Sequence, residues 1–431
     1  MTLLVYTHKI TPRLTYVFKH CITRLLGIPV SFTTKVESFI AHEDLKLSYT
    51  TKQLGNEFHI KSSGLLFEQG ISVLDIKMMS WEGIPAFFQT GDSGEIPFDI
   101  FSATFYLLSR YEEYLPHVKD EVGRFPASES LAMQHGFLEL PLVDLWMSRF
   151  ETILKSHYAY RTNVQKQASI KVIIDVQRVF QFKKVGLLRT CGSYCTDFVK
   201  FRLKRNLKRT QVLLGFRKDP YDVFNWLMQL QKRTSERFQF FFALNDYSNT
   251  SRTIKYSKMA LQSLLKMVAD YSNVGLLVSR DAAVTPEDLK KEKLRLEAIT
   301  HRATSEAKVI TSFLQLPDTY QYLLEAETLR DYSMCYPNNP GFRASTCSPF
   351  LFYDLNFEIQ TPLELYPVCL HIDEVFDNQQ KTINQIKIEE LKDVVASVNG
   401  LFMMTFSNIS FTHTVVRNLF KALVLHEKRI D

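Results

Sequence analysis

The sequence predicts an α/β chain in two parts: a smaller α+β domain over residues 1–160, then a deformed (β/α) barrel over residues 170–431. Three observations carry that reading. At 431 residues the chain is long enough for two or three domains of ordinary size. A polar stretch with little periodicity, residues 161–169, separates two halves of different rhythm. In the second half, seven short apolar runs alternate with helical patterns. That alternation is the mark of a parallel sheet, and the number of runs favours a barrel over an open sheet.

Each element follows from its local pattern. Leu14, Tyr16, Val17 and Phe18 precede Ile22, Leu25 and Leu26 at helical spacing, which predicts an amphipathic helix near the start. Residues 45–80 alternate like short strands, with Gly55 and Gly64 as turns. Residues 98–113 and 143–154 read as apolar-faced helices, with a polar loop over 116–130 between them. In the second half, strands are expected at 172–175, 238–244, 274–278, 308–313, 331–334, 363–370 and 400–406. Helices are expected at 221–232, 258–271, 286–300 and 388–398.

Composition excludes several classes. Hydrophobic residues make up 45% and charged residues 23%, so wholesale disorder and a fibrous repeat are ruled out. No run approaches ~18 uncharged apolar residues, so no transmembrane segment is expected. The start, Met1-Thr-Leu-Leu-Val-Tyr6, lacks the basic region of a secretory signal, and a cytoplasmic location is the expectation. Six scattered cysteines do not make a disulfide framework. Cys191 and Cys195 have no second pair at zinc-site spacing. The net charge of +6 singles out no anionic partner on a chain this long. The run from Lys200 to Arg209 holds six basic residues in ten. It reads either as a contact with phosphate, an acidic glycan or an anionic surface, or as a solvated helix face with Phe201, Leu203 and Leu207 partly buried. No nucleic-acid motif accompanies it, so no nucleic-acid partner is expected.

In parallel barrels the active site lies at the C-terminal strand ends. Those ends present Asp175, Gln177, Asn245, Asp246, Ser279 to Asp281, Ser312, His371, Asp373, Ser407 and Asn408. Arg343 joins them if its loop folds over the mouth. No phosphate-cradling P-loop, nucleophile elbow or HExxH helix occurs.

Longer matches add a family likeness. Phe98-Asp-Ile-Phe-Ser-Ala-Thr-Phe-Tyr-Leu-Leu-Ser-Arg-Tyr-Glu-Glu-Tyr114, Gly123-Arg-Phe125, Ser130-Leu-Ala132 and Pro141-Leu-Val-Asp-Leu-Trp146 lie in the first half. Asp219-Pro-Tyr-Asp222, Asp331-Tyr-Ser-Met334, Gly341-Phe-Arg-Ala-Ser345 and Pro349-Phe-Leu-Phe-Tyr-Asp354 lie in the second. With these motifs the chain resembles bacterial two-domain proteins in which an uncharacterised N-terminal domain precedes a polysaccharide deacetylase barrel of carbohydrate esterase family four, the NodB homology domain.

The resemblance implies a catalytic-base aspartate followed two residues later by a metal-ligand aspartate. Here Ile173-Ile-Asp-Val-Gln177 keeps the first as Asp175 and replaces the second by Gln177, a poor ligand for a divalent cation. The family's metal histidines align with Leu277 and Ser312, and its catalytic histidine with Ser407. Asp175 and Arg343 are the catalytic remnants that the resemblance leaves, with Asp373, His371 and Asn408 as binding candidates. Asp175 is then a surviving base or a carboxylate that ties down the barrel mouth. Arg343 binds an anion or orients Asp175 through a bidentate pair. His371 and Asp373 share a strand face and bind metal only with further ligands.

The resulting expectation is a pseudoenzyme without cofactor that binds a saccharide or a partner protein in envelope-polysaccharide metabolism. Its rivals are an active deacetylase of N- or O-acetyl groups and a scaffold for an active paralogue. The active enzyme would hold zinc or another divalent metal on Asp175, Asp281, His371 or Asp373. An open aromatic mouth would favour saccharide binding, and a plugged one scaffolding.

Overall fold

A four-stranded parallel sheet organises the N-terminal part: β1 Leu3–Tyr6, β2 Val30–Thr33, β3 Lys46–Thr50 and β4 His59–Lys61, in the order β2-β1-β3-β4. The computed structural model describes residues 2–91, 95–158, 167–184, 186–234, 237–245 and 256–426. Asp246 and residues 161–166 of the expected boundary lie outside them. The connection from β1 to β2 is helical, α1 Pro12–Phe18 running on as a π-helix, Lys19–Leu25, as the apolar spacing predicts. Helix α2 Val36–Ile40 leads to β3. The all-parallel arrangement departs from the α+β expectation. β1 and β2 have only four residues each, too few to show an alternation.

A hairpin, β5 Met78–Trp81 with β6 Ile84–Phe87, precedes α3 Ile100–Leu108. Asp99 caps α3 by accepting the Ser102 N–H at 2.9 Å. Every residue of α3 is buried, as for a helix surrounded by other elements. Short α4 Leu131–Gln134 and long α5 Leu142–Tyr158 complete this part.

The second part begins with β7 Ser169–Val176 and the helices α6 Leu187–Val199, α7 Leu203–Leu213 and α8 Phe224–Gln231. Strands and helices then alternate: β8 Gln239–Phe242, α9 Met259–Tyr271, β9 Asn273–Val278, α10 Pro286–Thr300, β10 Glu306–Val309, α11 Asp318–Glu325 and β11 Arg330–Asp331. There follow β12 Phe350–Asp354, β13 Ile359–Leu365, β14 Leu370–His371, α12 Ile372–Val375 and a small hairpin of β15 Phe376–Asp377 with β16 Thr382–Ile383. Helix α13 Gln385–Ser397, β17 Leu401–Ser407 and α14 Thr414–His426 end it.

Nine of these strands form one sheet in the order β12-β13-β11-β10-β9-β8-β7-β17-β14, parallel except for the β12–β13 pair. Among the described residues the ladder is open rather than a closed ring, with β12 and β14 at its edges. The physical reason lies in residues 363–370, which read as one strand. Pro367 lacks an N–H to donate, and the run splits into β13 and the two-residue β14. One backbone bond still spans the gap, from the Val368 N–H to the Met334 carbonyl at 3.1 Å.

The two faces of the sheet pack separately, as period-two alternation requires. Ile174, Phe240, Phe242, Leu276, Val278 and Met404 join the large core shared with the N-terminal part. Ile173, Phe241, Leu277, Tyr332, Val368 and Met403 form a second, fully buried cluster on the other face. Glycine is required at 275, where a Cβ would lie 2.5 Å from the Phe241 ring and 2.7 Å from the Glu306 carbonyl oxygen. No helix among the described residues is long and apolar enough to cross a membrane.

Candidate functional site

Asp175 follows Ile173 on the same face of β7, one layer nearer the C-terminal end. The inward position on β10 is Lys308, flanked by the outward-packed Ala307 and Val309. Its ammonium donates to Asp175 Oδ2 at 2.7 Å and to Thr405 Oγ1 of β17 at 3.0 Å, with the lysine side chain fully enclosed. Three strands therefore converge on one cation. Burial pushes the Asp175 carboxyl above its ordinary pKa, while Lys308 pulls it down. Its other oxygen, Oδ1, has no hydrogen-bond partner among the described residues.

Next to Lys308 lie Ser312, Cys335 and His371. Ser312 Oγ is 2.6 Å from Cys335 Sγ, and His371 Nε2 is 3.5 Å from the same sulfur. Thr311 and Ser312 both take left-handed backbone conformations, φ 51° and 49°, a costly geometry for a β-branched residue that directs Ser312 to Cys335. Burial raises the Cys335 thiol to about 11, so it is not a thiolate nucleophile at neutral pH. Burial, then the nearby Lys308 charge, hold His371 well below its usual pKa and therefore neutral.

The other expected site residues do not converge on this centre. Arg343 does not orient Asp175: its guanidinium is buried in a bidentate pair with Glu113, at 2.9 and 2.5 Å, and also donates to the Cys335 carbonyl at 3.2 Å. Glu113 simultaneously accepts from Arg110 Nε at 2.7 Å, and Arg110 reaches Glu112 at 2.6 Å and the Tyr336 hydroxyl at 2.8 Å. Burial pushes the Glu113 carboxyl up, but Arg343 and Arg110 outweigh it and hold the pKa at about 2. His371 and Asp373 do not share a strand face, because β14 ends at His371 and Asp373 is exposed in the first turn of α12. Asn408 is buried; its amide donates to the carbonyls of Arg178, at 2.8 Å, and Tyr221, at 3.3 Å, and its backbone N–H to the Asp175 carbonyl. Gln177 and Asn245 are half-buried, Asp281 is exposed, and Leu277 is packed inside the second cluster. Ser279 donates its N–H to Glu292, and Ser407 Oγ accepts from the Ile409 N–H.

A divalent metal does not fit this centre. The one carboxylate retained there already faces an ammonium, whose charge repels a second cation, and Leu277 offers no donor atom. Among the described residues no three His, Cys, Asp or Glu side chains gather to hold a metal. Lys308, Cys335, Thr405 and Glu113 were not among the residues expected from sequence. A signal for Lys308 was present: a lone charge between Ala307 and Val309 in a strand otherwise buried on that stretch.

Several buried acids set the pH response. Burial raises Glu292 and Glu374 to about 7 and Asp331 to about 6. These groups bind more protons folded than unfolded across that window, so they stabilise the fold at low pH and lose that contribution as pH rises through about 7. Glu113, held down at about 2, acts oppositely and weakens the fold only in strong acid. His371, held neutral in the fold, acts against them below its ordinary value of 6.5, but it is one group against three, so the melting temperature is expected to be higher near about pH 5 than near about pH 8; calorimetry across that range checks it, and a rise toward pH 8 would contradict it.

Comparisons place only part of the chain. Residues 3–159 match a family model described as a Family of unknown function (DUF7033). No curated protein matches the chain. A protein from Mycobacterium smegmatis, assigned as a polysaccharide deacetylase, has a similar structure at 11% identity and a TM-score of 0.41, over 63% of this chain and 87% of that one. The PuuE allantoinase is similar at 10% identity and a TM-score of 0.38, over 62% and 86%. A mutant of a CE4 family pseudoenzyme with restored enzymatic activity is similar at 9% identity and a TM-score of 0.32, over 61% and 64%.

Proposed function

We propose that this chain is a deacetylase-like pseudoenzyme that binds a saccharide or a partner protein, within cell-envelope polysaccharide metabolism. Its units are an N-terminal domain, 1–160, and a deacetylase-like barrel, 170–431. The observation that carries the loss of activity is Lys308, an enclosed ammonium 2.7 Å from Asp175. Metal-assisted hydrolysis needs a cation to lower the pKa of bound water to about 7. It also needs an acid of near-neutral pKa for the leaving group. Gln177, Leu277, Ser312 and Ser407 supply neither, and Asp175 is already neutralised by Lys308.

A scaffold for an active paralogue is the second reading, favoured by the Ile173, Phe241, Leu277 and Met403 side chains that fill the inward face of the sheet. The test is elemental analysis of protein equilibrated with Zn²⁺ and desalted, beside an Asp175→Ala control. No zinc above the control is expected. About one zinc per chain, lost in the control, would overturn the pseudoenzyme reading and favour an active deacetylase.

A further inference from the structure

Helices α6 and α7 form a hairpin whose outer face the rest of the fold leaves uncovered. Phe201, in the turn between them, is 89% exposed and sits in the left-handed region at φ 51°, a strained conformation that holds its ring outward. Phe198, Val199, Leu203, Leu207 and Leu214 are also exposed, each by more than half. Leu203 and Leu207 are one turn apart, and Leu214 falls two turns further on the same side of the helix, opposite the buried Arg209 and Val212. The helix face is solvated as expected, but Phe201, Leu203 and Leu207 are exposed rather than partly buried.

The charge around this apolar face has one sign. Residues 198–218 contain eight Lys or Arg and no Asp or Glu, more positive charge than the net +6 of the whole chain. The same hairpin helps to line a cavity of about 480 Å³ with Arg178, Arg189, Lys200, Arg202, Arg205 and Arg209 in its wall, and Asp197 is the one carboxylate among its described lining residues. Two of the six cations, Arg205 and Arg209, pair with Asp197. Lys200, Arg202 and Lys204, at and just after the turn between the helices, are exposed.

We propose that the α6–α7 hairpin docks the protein on an anionic lipid bilayer, with Phe198, Phe201, Leu203 and Leu207 entering the interface and the exposed Lys200, Arg202 and Lys204 beside them meeting headgroup phosphates. An apolar face ringed by Lys and Arg is complementary to a negatively charged leaflet, because burial of the rings and attraction to the headgroups act together. A second copy of the chain is a poorer occupant, since it would set two faces of the same charge against each other.

The test is co-sedimentation of the full chain with vesicles of phosphatidylcholine alone or with about 30% phosphatidylglycerol. Binding is expected only to the anionic vesicles, and weaker at about 0.5 M salt, where the screening length is only a few ångströms. A Phe201→Asp, Leu207→Asp double variant is expected to bind at least about ten-fold more weakly with an unchanged melting temperature, both positions being exposed. Equal binding to both vesicle types, or undiminished binding by the variant, would overturn the proposal. So would a wild-type dimer in light scattering that becomes a monomer in the variant.

Discussion

Lys308→Ala is expected to destabilise the fold by about 3–5 kcal/mol in urea unfolding at neutral pH, the range for removing one partner of a buried ion pair. The ammonium is fully enclosed and is the donor to Asp175 Oδ2, while Oδ1 has no partner to compensate. Without Lys308, Asp175 must stay charged in a buried setting or take up a proton. The loss should therefore shrink toward low pH, where protonation is cheap. A Lys308→Met, Asp175→Leu double variant removes both charges and should recover most of the stability. A loss below about 1 kcal/mol in the single variant would mean that the pair is solvated, and the argument against a metal would fall with it.

The second large effect is expected at Glu113→Ala. That carboxylate is shared by Arg343 and Arg110, and both guanidiniums are buried. Arg110 keeps Glu112, but Arg343 keeps no carboxylate among the described residues, only the Cys335 carbonyl and the face of the Tyr336 ring. About 3–5 kcal/mol is again the scale for a buried charge left unpaired. The location adds a consequence, since Glu113 and Arg343 lie 230 residues apart and tie the two parts of the chain together. Asp144 makes a similar tie, accepting from Thr346, Cys347 and Ser348, and Tyr16 reaches the Leu351 carbonyl at 2.8 Å. Unfolding of the variant is expected to separate into two transitions, one for each part. A single transition at unchanged midpoint would show that the remaining ties and the shared core suffice.

The strands and helices were largely legible in the sequence. Apolar runs marked β7, β8, β9 and β17, and helical spacing marked α1, α3, α5, α9, α10 and α13, because both signals come from residues a few positions apart; the run 308–313 is strand only to Val309 and turns as a 3-10 helix at Ile310–Ser312. Four-residue strands such as β1 and β2 carry too little pattern to be read. Pro367 was visible, but its effect on ladder closure depends on which strands lie beside it.

The chemistry divides in the same way. That Gln177, Leu277, Ser312 and Ser407 are poor substitutes for ligands or a catalytic histidine is a property of their side chains, determined by the sequence itself. Which partner each surviving charge takes was decided only by the tertiary structure. Asp175 meets Lys308 from 133 residues away, and Arg343 turns from Asp175 to Glu113. The physical reason is that a buried charge is satisfied by whichever opposite charge the folded backbone carries within a few ångströms, and local sequence holds no record of that distance.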